Sequence, residues 1–358
     1  MTDVGRTLDG DQAFMSRFLD MQSRIVALER DATRAYRGPL NYIRNGAFNV
    51  WQRGPGAFGG NVYNADGFRT YATGTTVSVT RQAFTLGNTI AGQEPLYYHR
   101  NVVTSSAGAG NIAVLWQGIE GVRSLAGQTA TLSFWAKADA AKNIAVEFDQ
   151  YFGAGGSPSA SVTGIGVQKL ALTTGWRRYT VTVSIPSIAG KTLGTDGRDR
   201  LAVNFWLDAG STYNARTASL GQQSGTFEFW GVQLEQGATA TDFDRRPPAL
   251  DLAENQRYFW RCFGTNFPGL AIGTTRAFIT IPLPVTMRTP PAWSAGTLAT
   301  LLLWGTGAGG STLSTCSIYD ENTDRVVLDA VCGAAVLLNG GGALLWTNGS
   351  YMDFVAEL

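Results

Sequence analysis

The sequence predicts a mainly β protein with an N-terminal helix, a central β-sandwich of jelly-roll type and a smaller C-terminal β-sandwich domain. Three observations lead there. Forty-four glycines and an aromatic content of 11% describe aromatic and β-branched runs broken by tight turns, the composition of a sandwich or barrel. From Asn41 to Arg246 apolar residues recur with period two and no helical pattern intervenes. The one long stretch with helical spacing is confined to the N-terminus. A chain of 358 residues accommodates two domains and an appendage, and the boundaries fall at 1–38, 39–247 and 248–358.

The N-terminal segment, Leu8 to Ala35, places Phe14, Phe18, Met21, Ile25 and Leu28 alternately four and three residues apart, a heptad seam. Asp9 or Asp11 caps its start, and Arg37-Gly38-Pro39 ends it. An amphipathic helix lying on its own domain is one reading. The narrow seam suits self-association or docking on a larger particle better.

Within the sandwich the clearest strands are Thr129 to Lys137, Asn143 to Phe152, Trp176 to Ile185, Leu201 to Asp208 and Thr226 to Glu235. Turns rich in glycine, serine and alanine, such as Ser105 to Gly110 and Gly153 to Gly166, separate them. Strands at this spacing without helices between them indicate a sandwich. Asp244-Arg-Arg-Pro-Pro248 stops both sheet and helix. Beyond it, Ala249 to Phe263 reads as a short helix entering a strand. Further β segments follow at Ala277 to Pro282, Thr297 to Trp304, Ser317 to Tyr319, Arg325 to Leu338 and Ala343 to Leu358.

Several functional classes are disfavoured. Twenty-eight basic against 27 acidic residues lack the positive surplus that phosphate contacts demand, so no nucleic acid partner is expected. Cys262, Cys316 and Cys332 sit in apolar runs outside any CxxC and read as small buried hydrophobes. The polar stretch Thr2 to Gln12 has no secretory signal pattern, and the longest apolar run, Ala330 to Leu338, is too short to insert in a membrane. Synthesis in a bacterial cytoplasm is expected. The single histidine, His99, lies inside a strand, no GxSxG is present, and zinc spacing is absent. Gly305 to Gly310 fits GxGxxG, but with no helix following it reads as a hairpin turn. No cofactor is expected.

Strand parity points to a binding surface. Leu132, Phe134 and Ala136 face the core, leaving Ser133, Trp135 and Lys137 outward. Ile144, Val146 and Phe148 leave Glu147, Asp149 and Tyr151 outward. Leu201, Val203, Phe205 and Leu207 leave Asn204, Trp206 and Asp208 outward. Each strand thus offers a large aromatic beside carboxylate, amide or amine. An aromatic ring covers the apolar face of a pyranose while short polar groups take its hydroxyls. The carbohydrate-binding candidates are therefore Trp135, Lys137, Glu147, Asp149, Tyr151, Asn204, Trp206 and Asp208. The bland alternative is that Trp135 and Trp206 are covered by other segments. Trp176 and Tyr179 read as core and edge packing.

Asn45-Gly-Ala-Phe-Asn-Val-Trp-Gln-Arg53, followed by Ala65-Asp-Gly-Phe-Arg69, resembles the opening of a module found in phage tail-fibre proteins. Gln117-Gly-Ile-Glu120, Leu132-Ser-Phe-Trp-Ala-Lys137, Gly175-Trp-Arg-Arg-Tyr-Thr180, Gly231-Val-Gln-Leu-Glu-Gln-Gly237 and Thr241-Asp-Phe-Asp-Arg-Arg-Pro247 match it in order, as does the trailing Glu254-Asn-Gln-Arg-Tyr-Phe-Trp260. Ile281-Pro-Leu-Pro-Val-Thr-Met-Arg288 with Pro290-Pro291, and the closing Val355-Ala-Glu-Leu358, resemble its terminal unit. The resemblance runs from Asn41 to Leu358 and implies a carbohydrate-binding-module-like jelly roll on the surface of a virion or phage-like particle, as a tail fibre or as a head spike of a gene transfer agent. It also suggests a Ca²⁺ between first and last strands, at positions comparable to Asn49, Glu235 and Asp242. The family has a carboxylate where Asn49 stands, and an amide is a poor hard-cation ligand, so no metal is expected.

The function that follows is adhesion to host cell-surface or capsular polysaccharide, with other particle proteins as partners and a homo-oligomer, trimeric or pentameric, multiplying weak sites. A depolymerase, using two of Glu147, Asp149 and Asp208, and a structural spacer that binds no sugar are the alternatives. Exposure of Trp135 and Trp206 discriminates between them: buried indoles favour the spacer, an open trough favours binding, and a trough with paired acids favours cleavage.

Overall fold

The structure, a computed structural model, describes Met21 and residues 41–297, 300–305 and 309–358. The chain divides into two compact units, Met1–Tyr42 and Ile43–Leu358. In the first, Met21 is helical and exposed. Phe14, Phe18, Ile25 and Leu28, the rest of the expected seam, lie outside the described residues.

The second unit begins with a sandwich of eleven strands: β1 (Val62–Tyr63), β2 (Phe68–Thr73), β3 (Thr76–Ala83), β4 (Tyr97–Thr104), β5 (Ile112–Glu120), β6 (Thr129–Ala138), β7 (Lys142–Tyr151), β8 (Val162–Leu172), β9 (Arg177–Ser184), β10 (Arg200–Ala209) and β11 (Gly225–Gln236). A 3₁₀ turn (Ser211–Tyr213) and one turn of helix, α1 (Asn214–Thr217), separate the last two. The strands form a six-stranded sheet in the order β1-β2-β5-β10-β7-β8 and a five-stranded sheet in the order β3-β4-β11-β6-β9. Apart from β1-β2, β3-β4 and β7-β8, neighbouring strands are not consecutive in the chain, which gives the crossed connections of a jelly roll. The strands expected at β6, β7, β9, β10 and β11 are present. The turn expected over 153–166 ends sooner, because β8 starts at Val162.

Alternation is what closes the sandwich. Phe134 of β6 and Phe229 of β11 point inward from one sheet and Phe205 of β10 from the other. Their rings meet at 5.0 Å and 5.4 Å, and all three are fully buried. Each buried phenylalanine contributes about 1.5–3 kcal/mol relative to exposure.

The C-terminal module starts with α2 (Pro248–Gln256), whose proline sits where a first-turn N–H would have no helical partner. Strands β12 (Phe259–Phe263), β13 (Asn266–Ala271), β14 (Arg276–Pro282), β15 (Ala292–Ala295), β16 (Leu302–Gly305), β17 (Gly309–Glu321), β18 (Arg325–Cys332), β19 (Gly342–Trp346) and β20 (Tyr351–Val355) follow. They make a three-stranded sheet, β12-β20-β15, and a closed sheet running β13-β14-β18-β17-β16-β19. The small C-terminal sandwich thus takes the form of a barrel with a short sheet beside it, around one core containing Ile279, Leu303, Leu328, Leu345 and Phe354.

The sandwich and the barrel module belong to the same compact unit. Arg53 is the centre of the junction. Its guanidinium lies 3.4 Å over the Phe259 ring and pairs with Asp66 at 3.3 Å and Glu357 at 3.1 Å. Gln52 donates to the Phe259 carbonyl and Tyr63 to that of Leu358.

Candidate functional site

Six of the eight expected binding residues lie on β7 and β10, in the six-stranded sheet. Register there sets Tyr63, Arg69, Trp116, Asn204 and Glu147 side by side across five strands. A second row holds Tyr71, Val114, Trp206 and Ala145, and a third holds Tyr151, Arg200 and Glu120. All point away from the core, so with Asp149, which stands opposite Ala202, this face carries five aromatic side chains and three acids.

One end of the face is closed. Trp206 is only 2% exposed because the 211–220 segment folds over it, with Tyr213 at 5.2 Å and Leu220 packed alongside. Arg216 lies 5.1 Å over the indole and makes a two-nitrogen contact with Glu147 at 2.6 and 3.0 Å. Glu147 also accepts from Trp206 Nε1 at 2.9 Å and from the Gly164 amide at 2.6 Å. A carboxylate with no solvent exposure and four donors is a structural anchor. Both residues were expected at an open surface, and a loop crossing that surface removes them from it.

Asp208 is also displaced. The β10–β5 register shifts between Trp206 and Asp208, and this bulge turns Asp208 to the side shared by inward-facing Ala113. There it accepts from Thr75, Ser105 and the Gln223 amide, bracing three loops at the end of the sandwich.

The rest of the face is less covered. Tyr63, Arg69, Tyr71, Asp149, Tyr151 and Arg200 are half-buried. Arg200 lies 4.2 Å over Tyr151 and 5.3 Å over Trp116, and Arg69 lies 4.5 Å over Tyr71. Neither arginine pairs with a carboxylate among the described residues; they donate to the Arg198 and Asn61 carbonyls. Asn204 donates to Asp149 at 2.7 Å, and burial raises the Asp149 pKa. The result is a floor of rings and planar guanidinium groups edged by an amide and a carboxylate. Trp116 was missed in the sequence because β5, buried on both faces, reads as one apolar run; Arg69 and Tyr71 lie on β2 and Arg200 begins β10, all outside the strands expected from the sequence.

Trp135 and Lys137 lie on the other sheet. Trp135 packs 5.3 Å from Trp230 and 6.4 Å from Phe243, with Arg178 at 4.8 Å. Its ring rests on Gly231, where a Cβ would meet ring carbons at 2.7 Å and where φ is +65°, so that position requires glycine. The tryptophan is therefore covered. Lys137 pairs with Glu228 at 2.8 Å and lies 5.4 Å from the Trp176 ring. Trp176 itself is half-buried against Phe84 and Tyr98.

His99, on β4, is buried and hydrogen-bonded to Asn64 and Asn101, and burial lowers its pKa to about 3. No group of three or more metal-ligating His, Cys, Asp or Glu side chains occurs among the described residues. Glu235, one of the positions comparable to a calcium ligand, is bonded to Thr241. No helix among the described residues is long and apolar enough to cross a membrane.

No protein-family model matches the chain, and no curated protein does. Solved structures with a likeness to it include carbohydrate-binding modules and a phage tailspike domain. The enzymatically active domain of tailspike protein 4 from bacteriophage CBA120 is 16% identical over 55% of this chain, with a TM-score of 0.33, and the chain spans 22% of its length. The CBM22-2 xylan-binding domain from Paenibacillus barcinonensis is 14% identical over 49% of this chain and 94% of its own, with a TM-score of 0.30. The family 11 carbohydrate-binding module from Clostridium thermocellum is 12% identical over 52% of this chain and all of its own, with a TM-score of 0.31. Likenesses at this level assign no ligand to this chain.

Proposed function

We propose that the protein is a non-catalytic adhesin that binds host polysaccharide through the open part of the six-stranded sheet. The observation that carries this is the half-buried set Tyr71, Tyr151, Arg69 and Arg200 around Trp116, with Asn204 and Asp149 as hydrogen-bonding partners. Rings supply stacking surface for a pyranose, and the amide and carboxylate take its hydroxyls. Of the three acids expected to serve a glycosidase only Asp149 reaches the open face, and Glu120, also on that face, is held by Arg257 and Tyr258, which argues for binding without cleavage. A place on a tail fibre or head spike, in an oligomer whose repeated weak sites act together, rests on the sequence motifs from Asn45 to Leu358.

The test is affinity electrophoresis of the intact protein through gels containing capsular polysaccharides, with a reducing-end assay on the same samples. Tyr151→Ala, Tyr71→Ala and Arg200→Ala are each expected to weaken retardation about two- to tenfold, taking roughly 0.5–1.5 kcal/mol for a stacked ring, with no new reducing ends. New reducing ends would move the protein to the depolymerases. The covered state of Trp135 and Trp206 favours a second reading, a spacer that binds no sugar, and absence of retardation in every gel would select it.

A further inference from the structure

A second aromatic surface lies on the outside of the barrel, in the adjacent strands β13, β19, β16 and β17. Their registers set Pro268, Leu344, Trp304 and Gly310 in one row and Asn266, Trp346, Leu302 and Thr312 in the next. Phe267, Ala343, Leu345 and Leu303, which alternate with these, point into the core. Trp304 is 38% exposed although it sits in the middle of the sheet. A Cβ on Gly310 would come within 2.6 Å of Trp304 Cε2 and Nε1, so one face of the indole is laid on the glycine backbone and the opposite face is turned to solvent. Trp346 stands 6.2 Å away at an interplanar angle of 56° and forms a wall beside it.

We propose that Trp304 and Trp346 form a second carbohydrate platform, taking the apolar face of an uncharged pyranose in a polysaccharide. The chemistry of the two rows selects this occupant. No position in either row is ionisable, and exposed Asn266 and Thr312 stand at opposite ends of the Trp346 row, where ring hydroxyls would meet them. The footprint is about 14 Å across the strands and about 7 Å along them, on the order of 100 Å². A stable protein–protein contact buries about 800 Å² per partner, so the surface fits a sugar ring better than a second copy of the chain. The platform shares no residue with the sandwich face and stands independently of it.

The experiment uses the full chain labelled with 5-fluorotryptophan and read by fluorine NMR, with Trp304→Phe, Trp346→Phe and Trp116→Phe assigning three signals. Titration with methyl β-D-galactopyranoside is expected to move the Trp304 and Trp346 signals together and saturably in the millimolar range. In Trp304→Ala the shift at Trp346 should need at least fivefold more glycoside. Movement of the Trp116 signal alone would leave the sandwich reading standing and overturn the platform, as would three unmoved signals. Movement of the Trp304 signal on dilution of the protein without glycoside would make the surface a contact between copies and overturn it equally.

Discussion

Lowering the pH from 7 to 5 acts on two buried groups in opposite directions. His99 is fully buried, its Nδ1 accepting from Asn101 Nδ2 at 3.0 Å and its Nε2 lying 2.8 Å from Asn64 Oδ1. A proton on Nδ1 would face another N–H, so the folded imidazole stays neutral, and burial lowers its pKa from 6.5 to about 3. Below 6.5 the unfolded chain takes a proton that the folded one refuses, and stability is lost as the pH falls, by about 2 kcal/mol at pH 5. Asp66 behaves in the reverse sense. Burial, opposed by Arg53, raises its pKa from 3.8 to about 6. The folded state therefore takes this proton first, and stability is gained as the pH falls through 6, by about 1 kcal/mol at pH 5. The two oppose each other, so this pair leaves the wild type with a shallower dependence on pH than either group alone would give. Asp66→Asn removes the gain and exposes the full loss of about 2 kcal/mol, whereas His99→Gln converts the trend to a gain of about 1 kcal/mol. Urea unfolding of the three proteins at pH 7, 6 and 5 measures this. Asp66→Asn also alters the contact with Arg53, so the slope with pH is the readout, not the absolute stability. Parallel slopes in all three proteins would refute the reasoning.

Three further outcomes are expected. Arg216→Ala leaves Glu147 buried without its cation and should destabilise by about 3 kcal/mol in chemical denaturation, with Glu147→Gln added to it recovering part of the loss. Trp206→Ala should cost about 3–5 kcal/mol of stability, read by thermal unfolding, since the residue is a covered core indole; polysaccharide retardation of the folded fraction should remain. Gly231→Ala combines a left-handed backbone with a collision against Trp135 and should lower stability by about 2 kcal/mol or more by the same measurement.

The inward half of the sandwich was legible in the sequence because alternation in β6, β7 and β10 is a local property of each strand. Phe134, Phe148 and Phe205 fall in the core where period two puts them. The outward half was less legible. Whether Trp206 meets solvent depends on a segment five to fourteen residues further along the chain that returns over it, and whether Trp135 does depends on Phe243, more than a hundred residues away. The bulge before Asp208 leaves no mark, since Leu201, Val203, Phe205 and Leu207 alternate straight through it. Strand β8 was hidden because Gly164 and Gly166 interrupt its pattern. In the barrel, Gly305 to Gly310 was legible as a hairpin connection, but the placing of Trp304 on Gly310 appears only once β16 and β17 pair.

The closed sheet of the C-terminal module has a consequence for how the protein comes apart. In the sandwich, β1, β8, β3 and β9 are the outermost strands of their sheets among the described residues, β3 being held on its outer side only by the bridge from Phe58 to Val79, so each can peel away while the rest of its sheet survives. The barrel has no such outer strand: every one of its six strands is paired on both sides. Taking any strand out of it breaks two ladders at once, even the four-residue β16. Amide hydrogen exchange in the barrel should therefore proceed through one concerted opening with similar protection around the ring, while protection in the sandwich falls off from the centre of each sheet towards its rims. A pulling force applied to the module would meet a single yield point and not a succession of strands leaving one by one.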